Sequence, residues 1–372
     1  MQMKVGFDIA QTCQEKVGCG WAADLLIRAL VESAPEIQFY LYHQFGTWLN
    51  WSTRGGTHLE APSVVEPFRR MSLRQTTKKW QAVAAGKTTL PGNPDIVHAN
   101  SFQSPIVGPA RLVYTVYDIS FWINPEYTTE ANRIACQRGT LDAIARAAAF
   151  VFASRHAQCE FEQLFPGIIE RKGILTTVAP YGSRFPAVPT SRHAFPGGDW
   201  LAVGSLEPRK NYETLLSAIE YYWKRSTTKR PLKIVGGQGW KSDSLRERML
   251  TLESKGIVKF EGYISDRHLL RLYREAFGLI FPSHYEGFGL PVVEAMSQAC
   301  PVIMRKHSSL PEVGGSAAIY IENDPIEIAE AMLKLETDSE CYASISKNSL
   351  YQASRFSWSN TAEKVLQLYK QL

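Results

Sequence analysis

The 372-residue chain has no D-x-D pair, no C-x-x-C pair and no complete G-x-G-x-x-G. Without D-x-D there is no obvious carboxylate pair to bridge a divalent ion to a nucleotide diphosphate, so neutralising such a group falls to the protein's own cations. The six cysteines, Cys13, Cys19, Cys136, Cys159, Cys300 and Cys341, are scattered, the pattern of reduced, mostly buried thiols rather than of a disulfide frame or metal site. Gly18 and Gly20 follow a first candidate strand. No acidic residue ends a second strand about twenty residues further on, as a dinucleotide site would want, so a nicotinamide site is disfavoured.

Excess charge and long apolar runs are scarce too. The formal net charge of +5 suits anionic ligands or a membrane surface without calling for nucleic acid. There is no arginine-rich tract or zinc-knuckle spacing, which leaves nucleic-acid binding unsupported. No signal peptide precedes the first strand and no apolar run spans a bilayer, so the expected location is cytoplasmic, with at most peripheral contact on the inner face of the membrane.

What the chain does contain is 45% hydrophobic residues, enough at this length for a substantial core and two domains. Short apolar runs at 3–8, 37–42, 95–99, 112–116, 150–153 and 175–178 alternate with helical stretches such as 21–30 and 130–149. A second series runs through 200–204, 232–236, 257–260, 277–281, 301–304 and 317–321. Alternating strands and helices imply mostly parallel sheets covered on both faces, with function at the carboxyl ends of the strands. Between them, 185–199 is rich in Pro, Ser and Gly and reads as a linker. The expected division is 1–188, 189–355 and a closing helix within 356–372.

The densest chemistry lies in His284-Tyr285-Glu286-Gly287-Phe288-Gly289-Leu290-Pro291-Val292-Val293-Glu294. Pro291 is pre-set for a first helical turn, so the unit reads as strand, glycine loop, helix N-terminus. Unpaired amides at a helix start suit an anion. Gly287 and Gly289 let the backbone approach a ligand, and Glu286 and Glu294 are placed to accept hydrogen bonds from sugar or ribose hydroxyls. Taken singly, either glutamate reads equally as a solvated or dipole-complementing residue; the combination does not.

Gly204-Ser205-Leu206-Glu207-Pro208-Arg209-Lys210-Asn211 puts two adjacent cations after the first strand of the second series, a fork of donors and a point charge suited to a diphosphate. Gly236 to Trp240 and Gly262-Tyr263 follow further strands, as ligand-approach loops or as turns. In the first series His98, Tyr117-Asp118 and Ser154-Arg155 end strands. His98 is either a ligand residue or a loop hydrogen-bonder, Asp118 a site residue or an Asx-turn residue, and Ser154 a helix N-cap. The most basic stretch, 68–80, carries Phe68 and Trp80 at its ends and has the composition of a helix lying on anionic lipid or of a solvated helix face.

These residues resemble a family. Glu286 and Glu294 in their E-G-F-G-L-P-x-x-E-A context are similar to the E-x7-E motif of retaining glycosyltransferases of family 4, among the glycosyl transferases group 1. Gly204 to Asn211, Pro94 to His98, Pro180-Tyr181-Gly182 and Phe356-Ser357-Trp358 extend the likeness over almost the whole chain. It implies a GT-B fold, two Rossmann-like doubly wound α/β domains facing across a cleft, with the closing helix crossing back to the first. It implies that Arg209 and Lys210 neutralise the leaving diphosphate, that Glu294 binds ribose, and that Glu286 with the backbone of Gly287, Phe288, Gly289 and Leu290 holds the donor sugar. Gly204, Gly262 and Tyr263 complete the donor side, and Gly18, Gly20, His98 and Tyr117 the acceptor side, with Asp118 in a catalytic role. The family's His-Asp is Tyr117-Asp118 here, which leaves a sugar contact unassigned.

The implied reaction is metal-independent hexosyl transfer with retention, from GDP- or UDP-hexose, with mannose the first choice, to a glycan or lipid-linked acceptor in surface polysaccharide synthesis. The alternatives are a sugar-nucleotide epimerase or hydrolase on the same plan, or a non-catalytic subunit of a glycan assembly complex.

Overall fold

A computed structural model describes residues 2–13, 16–46, 56–191, 197–240 and 243–372. Residues 14 and 15 of the first glycine-bearing loop and 192–196 of the expected linker lie outside the described residues. The chain forms two compact units, one of residues 1–125, 130–181 and 357–372, the other of 126–129 and 182–356.

The first unit is built on a parallel sheet of β1 (Lys4–Asp8), β2 (Gln38–Tyr42), β3 (Val64–Val65), β4 (Ile96–Ala99), β5 (Arg111–Val116), β6 (Ala149–Phe152) and β7 (Leu175–Val178). Their order is β3-β2-β1-β4-β5-β6-β7 among the described residues. Strands β4 and β6 are buried at every position, because helices cover both faces of a parallel sheet. One face is sealed by helices Gly18–Ser33 and Trp358–Lys370, which add Leu26, Leu30, Val365, Leu366 and Tyr369 to a core with Val5, Phe7 and Phe39.

The first helix begins at Gly18, three residues before the expected start, so Gly18 and Gly20 form its first turn instead of the loop ahead of it. Glycine is required at position 20 by a close approach: a Cβ there would sit 2.7 Å from the carbonyl oxygen of Gln11. Serines set several helix starts as expected of good caps. The Ser154 hydroxyl accepts from the Ala157 amide at 3.0 Å, and Ser72 forms a capping box with Gln75.

The basic stretch is organised differently from a surface-seeking helix. Phe68 is fully buried, and Trp80 is 5% exposed and donates from Nε1 to the Gln44 carbonyl at 3.1 Å. Both rings pack with Tyr42, so the apolar side of this segment serves the domain's own core, while Arg70, Arg74 and Lys78 are exposed together with Ser72 and Gln75.

The second unit has six parallel strands among the described residues: β8 (Trp200–Val203), β9 (Leu232–Val235), β10 (Val258–Gly262), β11 (Gly278–Phe281), β12 (Val302–Arg305) and β13 (Ala318–Ile321). The order β10-β9-β8-β11-β12-β13 reverses direction between β8 and β11. Loops leaving the carboxyl ends of those two neighbours diverge to opposite faces, and the crevice between them is where doubly wound sheets take ligands. Trp200 is fully buried against Tyr222 and Phe277, anchoring β8 in this core.

The first part of the expected linker and Ser183 just before it are bonded to this unit. Ser183 Oγ lies 3.0 Å from Ser297 Oγ, the Val188 amide donates to the Ser297 carbonyl at 2.9 Å, and Gln298 Nε2 donates to the Pro186 carbonyl at 2.8 Å.

Candidate functional site

The loops after β8 and β11 are joined at the reversal point. Asn211 adopts a left-handed conformation at the end of the short turn Pro208–Lys210, and its Nδ2 donates to the Pro282 carbonyl at 3.1 Å. The His284 amide donates to the Arg209 carbonyl at 2.8 Å. Residues 209 and 286, far apart in sequence, are thereby fixed side by side.

Glu286 is the meeting point. Lys210 Nζ lies 2.6 Å from its Oε1 and Arg209 Nη1 2.8 Å from its Oε2. Arg209 also donates to the Tyr285 carbonyl at 2.8 Å and to Glu207 Oε1 at 2.9 Å. Burial pushes the Glu286 carboxyl up, but the charges of Arg209 and Lys210 and the hydrogen bond from Lys210 outweigh it and hold the group at about 2. Two cations therefore stand against two carboxylates, Glu207 and Glu286, in a preorganised array with little net charge.

Gly204 lies beneath this array, where a Cβ would come within 3.1 Å of Lys210 Cε. The Lys210 ammonium also sits 5.1 Å from the centroid of the Phe281 ring. The glycine loop is held from behind: the Ser308 hydroxyl accepts from the Glu286 amide at 3.0 Å, and Ser309 Oγ contacts the carbonyls of Glu286 and Phe288 at 2.8 and 2.9 Å. Gly289 takes φ +115° as the cap of helix Leu290–Ser297, in which Pro291 carries no N–H and the Val292 amide donates to the Gly289 carbonyl at 3.0 Å. Phe288 packs edge-on against Phe356 at 5.7 Å.

Glu294 shares that helix but belongs to a separate network. It is fully buried, and Arg184 grips it with Nε on Oε1 at 2.5 Å and Nη2 on Oε2 at 2.9 Å. The Tyr273 hydroxyl donates to Oε2 at 2.9 Å, and Arg184 Nη1 reaches Asp266 at 3.0 Å. No sequence motif announces Arg184, which stands one residue before the expected linker.

Gly262, at φ +67°, ends β10, two strands out from β8, and Tyr263 beside it is 45% exposed. After β9, Gly236 and Gly239 pack tightly, each with a Cβ position 2.0 Å from a carbonyl oxygen, of Gly204 and Leu206 respectively, whereas a Cβ on Gly237 would meet nothing within 4 Å.

In the first unit, Asp118 Oδ1 accepts from the Ser120 amide at 3.0 Å and the Ser120 hydroxyl at 2.8 Å, an Asx turn. Tyr117 is 5% exposed, with its hydroxyl 3.4 Å from the Cys19 carbonyl. His98, expected on the acceptor side, lies in the core. It is fully buried, with Nδ1 2.5 Å from the Tyr369 hydroxyl and Nε2 2.8 Å from Thr115 Oγ1, which itself donates to Asn100 Oδ1 at 2.8 Å. Burial pushes His98 down to about 3, so it is a neutral residue of the core. The reversal point of this sheet lies instead between β1 and β4, at Asp8 and Asn100, which the sequence did not single out. Asp8 accepts from the amides of Ala10 and Asn100 at 2.9 Å each, and burial raises it to about 6.

Fold and site together define a two-domain doubly wound α/β protein with a cation–carboxylate array and a helix N-terminus at the reversal point of its second sheet. Residues 197–351 match the glycosyl transferases group 1 family. The chain is 30% identical over 272 residues to O-antigen chain mannosyltransferase B of Escherichia coli, over 70% of this chain and 71% of that protein. It is also 30% identical over 186 residues to the serotype-specific mannosyltransferase WbdA of Escherichia coli, but this covers 49% of the chain and 23% of that longer protein. The structure of Anabaena Alr3699/HepE in complex with UDP and glucose aligns over 100% of both chains, with TM-score 0.68 and 21% identity, and gives the fold as GT-B. The chain belongs to the glycosyl transferases group 1 family and is a glycosyltransferase.

Proposed function

We propose that this enzyme is a family 4, retaining hexosyltransferase that moves mannose from a GDP- or UDP-linked donor to a glycan or lipid-linked acceptor of a surface polysaccharide. The observation that carries the reading is Glu286 fixed between Arg209 and Lys210 at the reversal point of the second sheet. The O-antigen mannosyltransferase relative supports the sugar and the product class, and the Anabaena protein with UDP and glucose supports a nucleotide-sugar donor.

In this reading Arg209 and Lys210 take the charge that builds on the leaving diphosphate, assisted by amides at the start of helix Leu290–Ser297. With no D-x-D pair in the chain, this stabilisation is assigned to the protein's cations without a metal. A carboxylate has about four acceptor sites, so Glu286 can hold both cations and still accept from a donor-sugar hydroxyl. Its low pKa keeps it ionised throughout the neutral range. Gly204, Gly287, Phe288, Gly289 and Leu290 shape the donor side, and Gly262 with Tyr263 the base end. Glu294 is assigned to the ribose, whose hydroxyls would compete with Arg184 for its oxygens. Asp118 and the helix start at Gly18 and Gly20 are assigned to the acceptor. Retention follows from front-face attack in which a leaving-phosphate oxygen takes the acceptor proton.

A screen of nucleotide sugars for thermal stabilisation, followed by transfer assays with the best donor, tests the assignment. Stabilisation by GDP-mannose or a UDP-hexose, lost in Lys210→Ala, is expected. A panel in which no nucleotide sugar stabilises the protein overturns it.

A further inference from the structure

The cations of the array are already matched by Glu207 and Glu286, but a third cation close to them is not. Arg305 ends β12, next to β11 in the sheet, and is partly buried. Among the described residues it pairs with no carboxylate; its Nη1 donates instead to His284 Nδ1 at 2.8 Å. Guanidinium does not give up its proton at any working pH, so this is a fixed charge whose fork retains further donors.

The bond also fixes the imidazole. With Nδ1 accepting, neutral His284 carries its proton on Nε2 and presents a second donor. Burial and then the charges of Arg305 and His307 push His284 down, which favours that neutral form. The ring is stacked on Tyr127 at 6.3 Å and an interplanar angle of 7°. Burial and then the charge of Glu126 raise the Tyr127 hydroxyl, while the charges of Arg305 and Arg209 work against them, so the two arginines bear on one locality. Lys306 and His307, both exposed, continue the cationic edge.

We infer that Arg305 and His284 form a phosphate-binding subsite on the second domain, separate in its residues from Arg209 and Lys210. A tetrahedral phosphate oxygen pair matches the free edge of a guanidinium, and His284, two residues before Glu286, holds that guanidinium in place through its Nδ1. The phosphate comes either from the acceptor or from the donor's diphosphate. The proposal uses the donor reading only to name the neighbouring array.

Inorganic phosphate titrated by calorimetry into the wild type, Arg305→Gln, Arg305→Lys and Lys210→Ala tests it, first on the free enzyme and then with saturating UDP or GDP. Loss of phosphate affinity by about tenfold or more in Arg305→Gln, with partial retention in Arg305→Lys, is expected from removal of a charge-assisted bond. Binding that survives nucleotide saturation assigns the phosphate to the acceptor; competition assigns it to the donor. Equal phosphate affinity in Arg305→Gln and wild type overturns the subsite, as does a loss confined to Lys210→Ala. If neither UDP nor GDP binds while the Arg305 dependence persists, the donor reading fails and the subsite stands. Arg305→Lys melting at the wild-type temperature guards against a folding artefact.

Discussion

Arg184 holds both oxygens of Glu294, at 2.5 and 2.9 Å, inside a site with no solvent access to the carboxylate. A buried carboxylate that loses such a partner is left with the Tyr273 hydroxyl alone. Arg184→Gln should therefore lower unfolding free energy by about 3–5 kcal/mol, read by urea denaturation, with part of the loss recovered in Arg184→Gln/Glu294→Gln. The single variant should also bind nucleotide more tightly, because the ribose no longer competes with a guanidinium. Unchanged nucleotide affinity alongside the stability loss would detach Glu294 from the donor.

Glu286 has a distinct acid signature. Its folded value of about 2 lies below the ordinary 4.5, so the stability it contributes is present above 4.5 and disappears as pH falls towards 2. The stability difference between wild type and Glu286→Gln should shrink across that window. Turnover of Glu286→Gln at neutral pH should fall about a hundredfold, measured with saturating donor.

For His98 the window is higher. Its neutral buried form contributes stability above the ordinary 6.5 that is lost as pH falls towards about 3. Replacing it with Gln should flatten the pH dependence of unfolding in this range. Tyr369→Phe, which removes the hydroxyl at His98 Nδ1, should cost about 1–3 kcal/mol and speed amide exchange in β4. A wild-type pH profile retained in His98→Gln would refute the assignment.

Gly289 combines φ +115° with a neighbour, Leu310 Cδ2, 3.1 Å from where a Cβ would lie. Gly289→Ala should cost about 1–3 kcal/mol in thermal unfolding and weaken donor binding, since the strain falls at the helix start facing the proposed diphosphate.

Membrane contact through residues 68–80 has to rely on charge, because Phe68 and Trp80 are inside the domain. Flotation with anionic vesicles should recover the protein at low salt only, and Arg70→Glu/Arg74→Glu/Lys78→Glu should abolish it. Flotation that resists high salt would require an apolar anchor elsewhere.

The parallel sheets were legible because bounded apolar runs mark buried strands, whereas β3, two residues long at a sheet edge, left no pattern. Arg209, Lys210 and Glu286 were legible for a topological reason: each follows a strand, and the two strands proved to be neighbours. Arg184 with Glu294 and His98 with Tyr369 were not, because they join residues 110 and 271 positions apart and neither partner carries a local signature. Charge hid the buried role of Phe68 and Trp80, since composition reports the outer face of a segment and packing decides the inner one.

The discontinuous first unit has a consequence for synthesis. Residues 182–356 are made without interruption, so the second sheet can close while the chain is still on the ribosome. The first core must wait for Val365, Leu366 and Tyr369 to emerge, and until then the surface of helix Gly18–Ser33 and the Nδ1 side of His98 lack their covers. Of the two units, the one whose translation starts earlier is the one completed later.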